Sequence, residues 1–212
     1  MAYDLQDQEQ IDELKAFWAR HGNRLMWLVA LALAAFAGWR AWNWYQDGQA
    51  EQAARDYAGL VTAAEGGRVE QITERYQAIT RAHAGSIYAD MAALRAAEAY
   101  AKAGKTDEAA AALRGLLADA DAEPGFHALA AVRLAGVLLD QKQYDEALRV
   151  LDGIGKVEGE QGGSIADRRG DVLTAQGKTA EARAAYEQAL ELLPAATPLR
   201  QLVELKLDRV GQ

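Results

Sequence analysis

The sequence predicts an all-α protein: one apolar, membrane-spanning helix near the N-terminus, then a stack of short antiparallel helical pairs closed by a final helix. Three observations carry this prediction. Half of the residues are hydrophobic, many of them alanine, and only three are proline; alanine is the best helix former and proline the worst. An uncharged apolar run fills positions 25–39, and similar short stretches recur further on at intervals of 38 and 35 residues.

Bulk properties narrow the function. The 212 residues carry a net charge of −8, with no basic tail and no lysine/arginine stripe. Nucleic-acid binding needs an electrostatic footprint of the opposite sign, so nucleic acid is not an expected partner. The absence of cysteine removes disulfides, thiolate metal sites and cysteine nucleophiles. It says nothing about compartment.

Residues 1–24 read as a cytoplasmic tail. Within it Ile11, Leu14, Phe17 and Trp18 share one helical face, so 8–21 predicts a short amphipathic helix for an interface or a partner. Its polar face is acidic, which argues against simple attraction to anionic lipid.

Residues 25–45 read as the transmembrane anchor. The run from Leu25 to Trp39 (LMWLVALALAAFAGW) is short for a span, which wants about twenty apolar residues. Arg40 follows, near the end, where its long side chain can reach the interface; counting through Tyr45 gives spanning length. All five tryptophans lie between positions 18 and 44. Amphipathic aromatic rings collect at membrane–water boundaries. Trp18 and Trp27 would mark one boundary, and Trp39, Trp42, Trp44 and Tyr45, with Arg40, the other. A buried core helix and a cleaved signal peptide are the competing readings. Ala35-Phe36-Ala37 resembles a cleavage site, but the preceding flank is long, holds five acidic residues, and cleavage would strand the aromatic cluster in water. Lys15, Arg20 and Arg24 on one side outweigh Arg40 and Arg55 on the other, which predicts a cytoplasmic N-terminus and a C-terminal domain outside. Ala30, Ala34 and Gly38 form a small-residue face at helical spacing, which chance explains as well as helix packing does.

Residues 46–212 read as one repeat domain of the tetratricopeptide type. Tyr100–Leu116 (YAKAGKTDEAAAALRGL), Leu138–Ile154 (LLDQKQYDEALRVLDGI) and Leu173–Ala189 (LTAQGKTAEARAAYEQA) align on Ala109, Ala147 and Ala182. The tetratricopeptide period is about 34 residues, with small or apolar residues at fixed helical positions. In that register the closest approach of each first helix falls on Ala97, Ala135 and Gly170. Tyr100, Leu138 and Leu173 follow, then Leu113, Leu151 and Tyr186, and then Leu116, Ile154 and the smaller Ala189. Gly104 and Gly177 suit left-handed helix ends. Thr106 and Thr179 are expected to cap the following helices, with Asp107, Glu108 and Glu181 favourable in the first turn. Residues 49–84 read as a degraded pair broken near Gly66-Gly67, and the stretch after Pro198 as a capping helix. The link Gly153–Gly163 (GIGKVEGEQGG) reads as a flexible loop; it lacks phosphate-loop spacing.

No reactive constellation emerges. His21, His83 and His127 are widely separated, without metal-ligand spacing. Ser164 with Asp167 reads as a capping pair rather than part of a triad. No enzyme activity, catalytic residue, metal or cofactor is expected.

Several local motifs resemble the YfgM family: Gly38-Trp39-Arg40-Ala41-Trp42-Asn43 at the membrane exit, Tyr88-Ala89-Asp90-Met91-Ala92-Ala93-Leu94, Val132-Arg133-Leu134-Ala135, and Arg169-Gly170-Asp171-Val172-Leu173 followed by Gly177-Lys178. The chain departs from that pattern in its richer alanine and glycine, notably around 159–163. The resemblance implies an ancillary subunit of the bacterial SecYEG translocon, in the inner membrane with a periplasmic domain. It further implies association with the membrane-anchored periplasmic chaperone PpiD and with nascent exported proteins. The expected function is a non-enzymatic protein-binding scaffold, held in the lipid bilayer, that assists periplasmic chaperones with newly exported chains. A repeat tether for envelope assembly or cell division is the alternative. For a protein-binding surface the sequence offers Arg95, Tyr100 and Arg133; core packing or solubilising surface is their competing reading.

Overall fold

A computed structural model describes the backbone of residues 2–210; side chains are described at Lys15 and from Phe17 onward. Ile11 and Leu14, predicted to face one way in the tail, therefore have side chains outside the described residues. Every described element is an α-helix: α1 Ala2–Glu65, α2 Val69–Ala82, α3 Ile87–Lys102, α4 Thr106–Ala118, α5 Pro124–Asp140, α6 Tyr144–Gly153, α7 Gly159–Ala175, α8 Thr179–Leu192 and α9 Pro198–Val210. The chain divides into two units, Met1–Glu51 and Gln52–Gln212, the second beginning a little beyond the expected boundary at 46.

In the first unit, α1 carries a segment long and apolar enough to cross a membrane, with none of its side chains buried. Met26, Trp27, Leu28 and Leu31 are all more than 60 % exposed. A soluble core helix would bury these side chains, at roughly 1.5–3 kcal/mol each for Leu or Met. The core-helix reading fails on that point.

In the second unit the pairs are α3 with α4, α5 with α6, and α7 with α8; the end of α1 and α2 form the degraded first pair, and α9 closes the far end. The core is built from small residues. Ala109, Ala147, Ala182 and Ala135 are 0 % exposed, and Ala97 is 3 %. Leu113, Leu138, Leu151 and Leu173 fill the spaces between pairs, while Ile154 is only half-buried. At Gly170 a Cβ would collide with the ring of Tyr186, the bulky residue of the partner helix. Alanine elsewhere and glycine here thus match the size of the facing side chain.

The turns at 104, 142 and 177 are set by one device, which also ends α1 at Gly67 and Arg68. In the first, Lys105 N donates to Tyr100 O at 2.9 Å and Gly104 N to Ala101 O at 3.0 Å; Gln143 with Lys142, and Lys178 with Gly177, repeat it. These are paired helix-ending bonds that need a left-handed residue. Gly104 and Gly177 supply it at φ 74° and 76°, and Lys142 is forced to φ 60° in the middle repeat.

Three local expectations are corrected. Thr106 and Thr179 are the first helical residues, not caps; Lys105 and Lys178 precede them without a side-chain cap. Ser164 and Asp167 do not cap a helix start. Both lie inside α7, where Ser164 Oγ donates to Glu160 O at 2.9 Å and Asp167 is buried against Lys206 of α9. The glycine-rich link is a loop only to Glu158. Gly162 and Gly163 are buried in α7, where a Cβ would strike the Val157 carbonyl or come within 2.6 Å of Leu193. Their glycine content serves close packing rather than flexibility.

Candidate protein-binding face

The first helices of successive pairs, the end of α1 with α3, α5 and α7, bring their side chains to one face of the repeat unit. A groove of ≈ 340 Å³ opens there, lined by Tyr57 and Val61 of α1, Met91, Leu94, Arg95 and Glu98 of α3, and Arg133 of α5. Ridges of a helical stack leave such grooves because the side chains of adjacent first helices diverge above their small-residue contacts.

Two of the three surface residues named from sequence meet here. Arg95 Nη1 donates to Glu98 at 3.1 Å and its guanidinium lies 4.0 Å from Glu65. Its Nε is buried with no hydrogen-bond partner among the described residues. Glu98 also accepts from Lys102 at 2.6 Å. That bond, followed by the one from Arg95, holds the Glu98 carboxyl below the usual carboxylate range. Arg133 Nη1 donates to the backbone carbonyl of Leu94 at 3.2 Å, which ties α5 to α3 and fixes the guanidinium over the groove.

Tyr100 departs from the surface expectation. It is 3 % exposed, and its hydroxyl donates to Thr73 Oγ1 of α2 at 2.9 Å. The packing reading of Tyr100 is the one the structure supports. Its size fills the space between α2 and α3, a role that alternating small and large residues cannot reveal without knowing which helix faces it.

Tyr57, Val61 and Glu98 were not singled out in the sequence, and Met91 only as part of a family motif. They come from two helices at separations of more than thirty residues for some pairs, and only the stacking of α1 on α3 gathers them. Tyr57 and Tyr88 add a tilted ring pair with centroids 6.1 Å apart.

The residues assigned to the membrane interface lie on α1 with exposed side chains. Trp18 is 55 % exposed, Trp27 71 %, Trp44 79 % and Tyr45 56 %, and Trp39, Trp42 and Arg40 are exposed as well. Trp42 and Tyr45 form a tilted pair 6.2 Å apart, Phe36 and Trp39 another at 5.9 Å. Arg40 shares a shallow depression with Phe36, Asn43, Trp44 and Asp47. The histidines stay apart: His83 pairs with Asp56 at 2.9 Å, His127 meets the Asp119 carbonyl at 2.8 Å, and His21 stacks on Phe17.

An apolar, aromatic-flanked helix followed by stacked helical pairs with an open groove defines a repeat protein of the tetratricopeptide class. The family model for a tetratricopeptide repeat-like domain matches residues 15–212. The chain is 35 % identical over 211 residues to the ancillary SecYEG translocon subunit of Neisseria gonorrhoeae, spanning 98 % of this chain and 99 % of that one. It is 33 % identical over 207 residues to the protein of the same name from Escherichia coli, spanning 97 % of each. The chain belongs to this family, the YfgM family of tetratricopeptide repeat-like proteins that its motifs resemble. Solved structures agree on the fold. A Podosopora anserina putative kinesin light chain with TPR-like repeats aligns at TM-score 0.59 with 18 % identity, over 76 % of this chain and 85 % of that one. MamA from Desulfovibrio magneticus aligns at 0.50 with 16 % identity, over 75 % and 89 %.

Proposed function

We propose that this protein is a single-pass inner-membrane scaffold at the Sec translocon, binding other proteins without catalysis. Residues 1–24 form its cytoplasmic tail, 25–45 its anchor and 46–212 its periplasmic domain. The observation that carries the reading is the presence in one chain of an unburied apolar span and an open groove on the repeat face. The relatives' name, ancillary SecYEG translocon subunit, supplies the site of action. Repeat stacks present extended surfaces suited to peptide segments, and the anchor tethers the repeat unit to the bilayer. In this reading the clients are newly exported proteins, and the domain works alongside periplasmic chaperones, PpiD among them.

Co-purification with the translocon in mild detergent tests the central claim; loss of this chain under conditions that retain the other subunits would refute it. Orientation is tested separately. The native chain lacks cysteine, so Lys156→Cys, at a site 87 % exposed in its side chain, places one thiol on the repeat unit. An impermeant thiol reagent is expected to label it in intact spheroplasts, and absence of labelling would reverse the topology.

A further inference from the structure

Arg95, Arg133 and Arg168 occupy the same place in three successive repeats, two residues before Ala97, Ala135 and Gly170. One guanidinium therefore recurs on each first helix, and each leans toward the helix before it. Arg95 approaches Glu65, Arg133 bonds the Leu94 carbonyl, and the Arg168 guanidinium carbon stands 3.6 Å from where a Cβ of Gly136 would sit. Three residues further on, the first and third repeats supply an acid. Glu98 takes Arg95 at 3.1 Å and Asp171 takes Arg168 at 3.3 Å. The middle repeat has Gly136 at that place. Arg133 is thus the rung without an acid three residues on and with no ion pair among the described residues, although Asp140 of its own helix lines one groove with it; its only described hydrogen bond is to a backbone carbonyl.

Its position gives that missing partner a meaning. Arg133 borders two adjoining grooves, the one floored by Val61, Met91 and Leu94 and a second that continues along α3 and α5. A segment lying in them passes the guanidinium midway, so the group that meets it is a side chain and not a chain end. Glu98 lines both grooves but is held by Arg95 and Lys102, and Asp140 lines the second. Over the apolar floor of the first, Arg133 is the cation with no ion pair among the described residues, and a guanidinium there meets an anion with directed hydrogen bonds.

We propose that this groove binds an extended segment of another protein through an aspartate or glutamate side chain seated on Arg133, with a neighbouring apolar side chain against Met91 and Leu94. The inference rests on the protein-binding reading above and adds the chemistry of what is bound. Arg95 and Arg168, neutralised within their own repeats, brace adjacent helices; Arg133 braces and binds.

The test uses the full chain in detergent micelles and short fluorescein-labelled peptides carrying Leu-Glu-Leu or Leu-Gln-Leu, each with a free or an amidated C-terminus, read by anisotropy. The Glu peptide is expected to bind about tenfold more tightly than the Gln peptide, the size of one charge-assisted contact, and amidation to change nothing. Arg133→Gln abolishes the discrimination while Arg168→Gln preserves it, and Arg133→Glu transfers the preference to a Leu-Lys-Leu peptide. Equal binding of Glu and Gln peptides, absence of peptide binding, or loss on amidation would overturn the inference. So would equal effects of Arg133→Gln and Arg168→Gln accompanied by matching falls in melting temperature. A photocrosslinker at Met91 in cells separates this from the broader reading. Adducts with exported proteins that persist in Arg133→Gln refute the acidic contact alone, whereas no adducts in either chain refute the protein-binding face itself.

Discussion

Lys206 Nζ lies 2.7 and 2.9 Å from the two carboxylate oxygens of Asp167, across 39 residues of sequence. The same ammonium reaches Asp171 at 2.8 Å and sits 5.8 Å from the centroid of the Tyr186 ring, whose hydroxyl donates to Asp171 at 3.0 Å. The closing helix α9 is thereby pinned to α7 by one cation serving two acids, beside the apolar contact of Val203, which is fully buried.

Lys206→Ala is expected to destabilise the closing end by roughly 2–4 kcal/mol, because it leaves the buried Asp167 carboxylate without its cation, beside an Asp171 that keeps only Arg168 as a counter-charge, at 3.3 Å. Amide hydrogen exchange would locate the loss: α9 should lose protection first. Joint replacement, Asp167→Leu with Lys206→Met, should recover most of the stability. A double variant no better than Lys206→Ala alone would show that the charges are not the cause.

Acid affects two carboxylates in opposite ways. The hydrogen bond with His83 is the main reason Asp56 titrates below its ordinary value of 3.8. A lowered folded-state value means that its contribution is complete above about pH 4 and is lost as pH falls through that lower value. Burial, in contrast, raises Asp167. Its contribution is complete below the unfolded value and is lost as pH rises through the raised one. Thermal melts from pH 3 to 7 should therefore show Asp56→Asn less stable than the native chain at neutral pH and converging with it in acid. The difference should be a few tenths of a kcal/mol, since Asp56 is 42 % exposed and screened. Asp167→Asn should gain on the native chain as pH rises.

Gly170→Ala should cost about 1–3 kcal/mol, the usual range for overpacking a filled interior. The added methyl displaces the Tyr186 ring, whose Cδ1 would lie 2.6 Å away, and with it the hydroxyl bonds to Asp171 and Thr174. Tyr186 fluorescence should shift with the melt. An unchanged melting temperature would show that α7 and α8 separate at no cost.

The equivalent turns at Gly67, Gly104, Lys142 and Gly177 make an internal control. Gly104→Ala should destabilise by about 1 kcal/mol, because an L side chain at φ 74° meets the following carbonyl. Lys142→Gly, at φ 60° in the middle repeat, should be neutral or stabilising, since strain relief offsets the added unfolded-state entropy. Urea melts of both variants decide it, and a clear loss in Lys142→Gly would contradict the account.

The sequence by itself determined the helical class, the apolar segment and the repeat register. Each rests on a property one position can carry: no charge between Leu25 and Trp39, or a residue small enough at Ala97, Ala135 and Ala182 for two helices to touch. The glycine at 104 likewise announces its left-handed turn. Tertiary structure decided what depends on a facing surface. It drew Gly162 and Gly163 out of the expected loop into a packed helix, took Tyr100 from the surface into the core, and made Asp167 a partner of Lys206 instead of Ser164. It also joined Arg95 and Arg133 along one groove. The physical reason is range: helix propensity and size act on neighbours a few residues apart, whereas ion pairs, grooves and burial are properties of helices stacked side by side, and spacing along the chain does not say which side chains will meet.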